Sequence, residues 1–146
     1  MIWTLRVECI YGEYLEEDCV RVFETPSTTS LLDLHEAILE AVGFDNDHLF
    51  AFFAGRNWRH RKLVFNDSCE EWEESRAVYS NTTLEQVYPL PKGLRLFYRF
   101  DFGDNWAFAI RKSAKKPTAP QPGISYPRVI EAIGPNPPQY GPPMED

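Results

Sequence analysis

The chain has 146 residues, 43% of them hydrophobic and 14% aromatic, with a formal net charge of −7. That length fits one domain able to bury a core without disulfide staples, and the composition excludes a disordered chain. The negative balance argues against broad phosphate binding, and no apolar run nears the roughly 18 residues of a membrane span. The opening MIWTLRVECIYGEY lacks a basic region followed by an apolar one, so no secretory signal is expected and a cytoplasmic location is the default reading.

In chain order, residues 2–11 predict a strand with Trp3, Leu5, Val7, Cys9 and Tyr11 on one face. Gly12 and Glu13 begin a turn, residues 18–25 return as a second strand, and Pro26 ends it. Cys9 and Cys19 then lie on adjacent strands. No cysteine has metal-type spacing, and all three are expected to be thiols. Thr29 or Ser30 caps a helix whose apolar positions Leu31, Leu34, Ile38, Ala41 and Val42 recur at helical spacing, with Gly43 as its left-handed terminator. His35 falls at the edge of that apolar face, where a satisfied core-edge role is the simpler reading. Residues 48–54 predict a buried strand, and Lys62–Phe65 another. Residues 67–81 read as a surface excursion. Thr82 or Thr83 caps a short helix through Tyr88, which Pro89 and Pro91 stop.

The stretch from Leu94 to Arg111 is the clearest hairpin. Leu96, Tyr98, Phe100, Trp106, Phe108 and Ile110 share one parity, so five connecting residues set Phe100 against Trp106 and Tyr98 against Phe108. Gly103 is expected to take the left-handed backbone of the turn. That aromatic face must pack, either on the 31–42 helix or on residues 126–133. Nine of the twelve prolines lie in residues 117–146. The expected organisation is a single α+β domain over residues 1–133, followed by a Pro-rich tail, residues 134–146, that trails in extended form.

Three segments together resemble the plasmid pRiA ORF-three-like protein family. They are Phe100-Asp101-Phe102-Gly103-Asp104-Asn105-Trp106, the run from Leu34-His35 through Gly43-Phe44-Asp45-Asn46-Asp47-His48-Leu49, and Tyr126-Pro127-Arg128 followed by Gly134–Pro138. The resemblance implies a β-grasp-like α+β fold, a curved mixed sheet of hairpins with a principal helix on one face. It implies no established enzymatic activity. Family members often carry histidine where this chain has Phe50 and Phe108, so no bound metal and no cofactor are expected.

Three functional readings are set side by side. The first is a non-catalytic module for a protein or small-ligand partner, using Asp101, Asp104, Trp106, His48, Tyr126 and Arg128. In it the aspartates serve either a ligand or the amides of their own turn. The second is a nucleic-acid-associated protein using Arg56, Trp58, Arg59, Arg61 and Lys62, since guanidiniums contact phosphate and an indole stacks on a base. Its plain counterpart is a solvated loop balanced by Glu70, Glu71, Glu73 and Glu74. The third is a hydrolase with a degenerate metal site at Asp101 and His48. No catalytic residue is assigned. There is no serine-nucleophile elbow, and Asp101-Phe102-Gly103 lacks the phosphate loop a kinase would need.

Overall fold

The computed structural model describes residues 1–141. The alternation of Leu94–Arg111 produces β5 (Arg95–Phe100) and β6 (Trp106–Lys112). Phe100 pairs with Trp106, Tyr98 with Phe108 and Leu96 with Ile110, the register expected from parity. Two further hairpins flank this one: β1 (Ile2–Tyr11) with β2 (Val20–Pro26), and β3 (Phe50–Asn57) with β4 (His60–Val64). β5 joins β3 and β6 joins β1, and β7 (Arg128–Ile133) adds to β2, giving a seven-stranded sheet in the order β4-β3-β5-β6-β1-β2-β7. Every pairing is antiparallel. The expected mixed sheet is thereby corrected. Among the described residues neighbouring strands run in opposite directions, and no right-handed crossover sets two of them parallel.

The helix α1 (Leu31–Val42) covers one face. Ser30 is its N-cap, its hydroxyl accepting from the Asp33 amide at 3.1 Å. Gly43 ends it at φ 71°, and the Phe44 amide reaches the Leu39 carbonyl at 2.9 Å. Leu31, Leu34, His35, Ile38, Leu39 and Val42 are buried against Leu5, Val7, Phe23, Phe52, Tyr98, Phe100, Trp106 and Phe108. Fully burying each such aliphatic side chain contributes about 1.5–3 kcal/mol. The aromatic face thus packs on the helix, not on residues 126–133.

Residues 67–81 are not a mere excursion. They contain α2 (Trp72–Asn81), followed by α3 (Leu84–Val87). Only Ser75 and Tyr79 of α2 are buried, too few for a helical period to stand out in sequence. Tyr79 is a core residue whose hydroxyl accepts from the Phe52 amide at 3.3 Å. Pro26 is the last residue of β2, which ends there as expected, while β4 opens at His60, two residues before the expected Lys62.

The end of the chain holds to the sheet through its backbone. Residues of β7 pair with β2 while Val129, Ile130 and Ile133 stay exposed. Residues 134–140 do not trail away. Asn136 accepts from Arg21, Gln139 is buried and bonds the backbone of Asp45 at both ends of its amide, and Tyr140 bonds Asp45 and Asp47. The rest of the expected tail, residues 142–146, lies outside the described residues. Among the described residues no helix is long and apolar enough to cross a membrane.

Candidate functional site

The turn between β5 and β6 is built by its own aspartate. Asp101 and Asn105, not Gly103, take the left-handed backbone, at φ 59° and 62°. Short polar side chains tolerate that region because they bond locally. Asp101 Oδ1 accepts from the amides of Gly103 at 3.1 Å and Asp104 at 3.3 Å, while its amide donates to the Leu49 carbonyl. The structure does bring His48 to this turn. Its Nε2 is 3.4 Å from Asp101 Oδ2 and 3.3 Å from Asp47 Oδ1. One imidazole nitrogen thus lies within ion-pair distance of two carboxylates. Among the described residues no group of three or more His, Cys, Asp or Glu could hold a metal ion. Asp104 contributes its carbonyl to the Glu13 amide. Trp106 is wholly buried, edge-on to Phe44 at 4.9 Å, with its indole nitrogen unpartnered. Trp106, expected among the binding residues, is therefore part of the core.

Tyr126 and Arg128 lie elsewhere, at the β2–β7 edge. Arg128 binds Glu24 at 2.6 Å and sits 5.8 Å from the Tyr126 ring centroid. They join no site with Asp101 or His48. Cys9 and Cys19 are buried free thiols, with Cys9 pushed up to about 12 by burial and by its neighbour Cys19. Neither is a nucleophile at neutral pH.

What the sequence reading missed is the other face of the sheet. Strand alternation that turns Leu96, Tyr98, Phe108 and Ile110 inward turns Arg95, Phe97, Arg99, Ala107, Ala109 and Arg111 outward. The same rule places Arg6, Glu8 and Ile10 of β1 beside them. Among the described residues no helix lines this face. It carries a groove of about 740 Å³ whose floor includes Leu94, Phe97 and Ala109. Around it stand Arg6, Arg56, Arg95, Arg111 and Lys112, with Glu8 the one acid among the described residues. Trp58 closes one end and also borders a smaller depression with Arg59, Arg61 and Arg99.

These cations are held at some cost. Arg6 lies directly opposite Arg111 in the ladder, and like charges in that position destabilise a sheet. Desolvation lowers the Arg99 pKa from its usual value, and the nearby Arg61 lowers it further. Arg6 has Glu8 at 2.9 Å. Among the described residues no ion pair involves Arg56, Arg59, Arg61, Arg95, Arg99 or Arg111. Among the described residues none of Glu70, Glu71, Glu73 and Glu74 forms an ion pair with the basic run. Glu73 and Glu74 belong to α2, and Asp33, Glu36 and Glu40 to α1. In a chain of net charge −7, eight of the fifteen lysines and arginines border the two depressions of this face.

Four of the five basic-run residues named from sequence, Arg56, Trp58, Arg59 and Arg61, border this surface; Lys62 lines neither depression. The β3–β4 turn brings Trp58 to Tyr11, ring centroids 4.9 Å apart, with the Arg59 guanidinium 4.9 Å from the indole. The missing signal was the polar parity of β1, β5 and β6, where arginine recurs. Its meaning depends on which strands become neighbours.

The family profile described as plasmid pRiA4b ORF-3-like protein matches residues 5–140. An uncharacterized protein, y4hQ of Sinorhizobium fredii, is 29% identical over 127 residues, covering 87% of this chain and 61% of that protein. The chain thus spans less than two thirds of that relative. In fold it is similar to the crystal structure of a protein of unknown function, MM3350 from Methanosarcina mazei Go1. The TM-score is 0.65 at 22% identity, covering 90% of this chain and 68% of the other.

Proposed function

This chain belongs to the plasmid pRiA4b ORF-3-like protein family, and on that premise we propose that it is a non-catalytic binding module whose ligand is anionic and lies on the open sheet face. One observation carries the reading. Five basic side chains and a single acid surround an apolar groove in a protein whose overall charge is −7. Evenly scattered cations would need no explanation. Apart from Arg6, which pairs with Glu8, these cations have no carboxylate partner among the described residues and keep their electrostatic potential for a ligand. The apolar floor adds contact area, as binding grooves generally require.

The chemistry of the remaining clusters supports a binder over a catalyst. Asp101 is engaged by its own turn, and His48 by two carboxylates. The cysteines are desolvated thiols. A calorimetric titration with inorganic polyphosphate tests the reading. Binding is expected for the native chain, strongly weakened in the Arg95→Gln/Arg111→Gln double variant and unchanged in Arg128→Gln. Absence of binding, or equal binding by all three, would refute it.

A further inference from the structure

Resting on the reading of the open face as an anion site, we infer that its ligand is single-stranded nucleic acid. Three features of the face select this among anions. First, the cations are spread over β1, β3, β4, β5 and β6 and the turn after β3, from Lys112 and Arg111 to Arg61 and Arg99. At about 4.8 Å between strands, that span suits a chain of phosphates and exceeds one small anion. Second, flat groups stand among the cations. Tyr11, Trp58 and Arg59 cluster where Trp58 lines the groove, the two rings 4.9 Å apart and tilted by 31°, and Tyr11 and Arg59 are exposed. Bases stack on such rings and on guanidinium planes, whatever the sequence. Third, the floor between the cations is apolar, with Phe97, Ala109 and Leu94. A backbone that carries charge on one side and flat apolar bases on the other fits that alternation. An acidic peptide would satisfy the arginines and leave the rings unused.

Duplex is disfavoured by the same geometry. Its bases are stacked inside and cannot reach a floor, so only its phosphates would contribute. The acidic residues of α1 and α2 add repulsion to a long rigid polyanion.

The test is fluorescence anisotropy of the full chain with a labelled oligothymidylate of about 12 nucleotides, within the usual site sizes of single-strand binders. A duplex of equal length and unlabelled inorganic polyphosphate serve as competitors. The oligothymidylate should bind more tightly than the duplex. Its affinity should fall with salt, with a logarithmic slope of about −0.7 per phosphate contacted. Trp58→Ala should weaken it about tenfold or more, the stacking scale for one base. Tyr11→Ala, at an exposed ring, should act in the same direction and guards against misfolding of the tryptophan variant. Both substitutions should weaken oligonucleotide binding more than polyphosphate binding, since polyphosphate has no base to stack. If both variants bind the oligonucleotide like the native chain while polyphosphate competes fully, the nucleic-acid inference is wrong and the anion site stands. Tighter binding to duplex would also overturn it. If neither polyanion binds, both readings fall.

Discussion

The guanidinium of Arg21 donates through Nη2 to the side-chain oxygen of Asn136, 2.8 Å away and 115 positions later in the chain. Its Nε reaches the Ala41 carbonyl at 3.2 Å, and Nη1 reaches the carbonyls of Val20 and Ile133. Arg21 is buried, and its partners are neutral oxygens. The Ala41 carbonyl lies in the last turn of α1, where partial negative charge accumulates, so the cation is favoured there. One side chain ties helix, edge strand and chain end together.

Arg21→Met is expected to destabilise by about 2–4 kcal/mol, because buried acceptors lose their donor. Truncation after Gly134 removes Asn136 and Gln139 as partners. It should lower the melting temperature by about 5 °C, the scale of one to two kcal/mol for a chain this size. Thermal melts of the two proteins check both statements. An unchanged midpoint in the truncated chain would restore the reading of a trailing tail.

His35 makes stability depend on pH. It is buried, stacked on Phe50 at 3.6 Å between centroids, and hydrogen-bonded to Tyr98 and Asn46. Burial lowers its pKa to about 4, with the Asn46 bond opposing and Arg76 adding to the shift. The unfolded chain therefore takes up the proton first as pH falls. The contribution is fully present above pH 6.5, declines from 6.5 towards 4, and changes no further below 4. Its size is about 3 kcal/mol. Urea denaturation at pH 7 and pH 4.5 should show this loss in the native chain and a smaller one in His35→Gln. Equal slopes in the two would refute it.

The β5–β6 turn offers a contrast between neighbours. Gly103 has an ordinary φ, and a Cβ there would meet only Asp101 Oδ1 at 3.4 Å. Gly103→Ala should shift stability by less than about 0.5 kcal/mol, as surface substitutions do. Asn105→Val forces a β-branched residue to positive φ and removes the acceptor of Arg99 Nε, so it should destabilise by about 1–3 kcal/mol. Comparing the two midpoints decides which residue holds the turn.

Gly12 is required by close approach. A Cβ built on it falls 2.0 Å from the Trp106 ring, whose surroundings are filled by Phe44 and the core. Gly12→Ala should destabilise by about 2 kcal/mol or more through overpacking. Loss of soluble expression or a lowered midpoint supports this. A wild-type melt would mean that the β1–β2 loop moves freely away from the indole.

The elements with a strong local period were legible in the sequence. The alternation of Leu96, Tyr98, Phe100, Trp106, Phe108 and Ile110 determined a hairpin, its register and its buried face, because a strand's side chains repeat every two residues. The spacing of Leu31–Val42 and Gly43 determined a helix and its C-terminal end, and narrowed its cap to Thr29 or Ser30, because capping is chemistry between near neighbours; the structure selects Ser30. Tyr79 was hidden, since one long side chain buries α2 without making a period. The turn's left-handed residues were misplaced because Asp and Asn can do what glycine does when their side chains find local amides. The tail was misread because proline and glycine content reports local stiffness, and nothing local reveals that Asn136 meets Arg21. The basic face lay furthest out of reach. Arg6, Arg56, Arg95 and Arg111 are each ordinary outward residues in their own segments. Only the order in which the hairpins assemble makes them neighbours, and charge density depends on distance in space, which the tertiary structure alone decides.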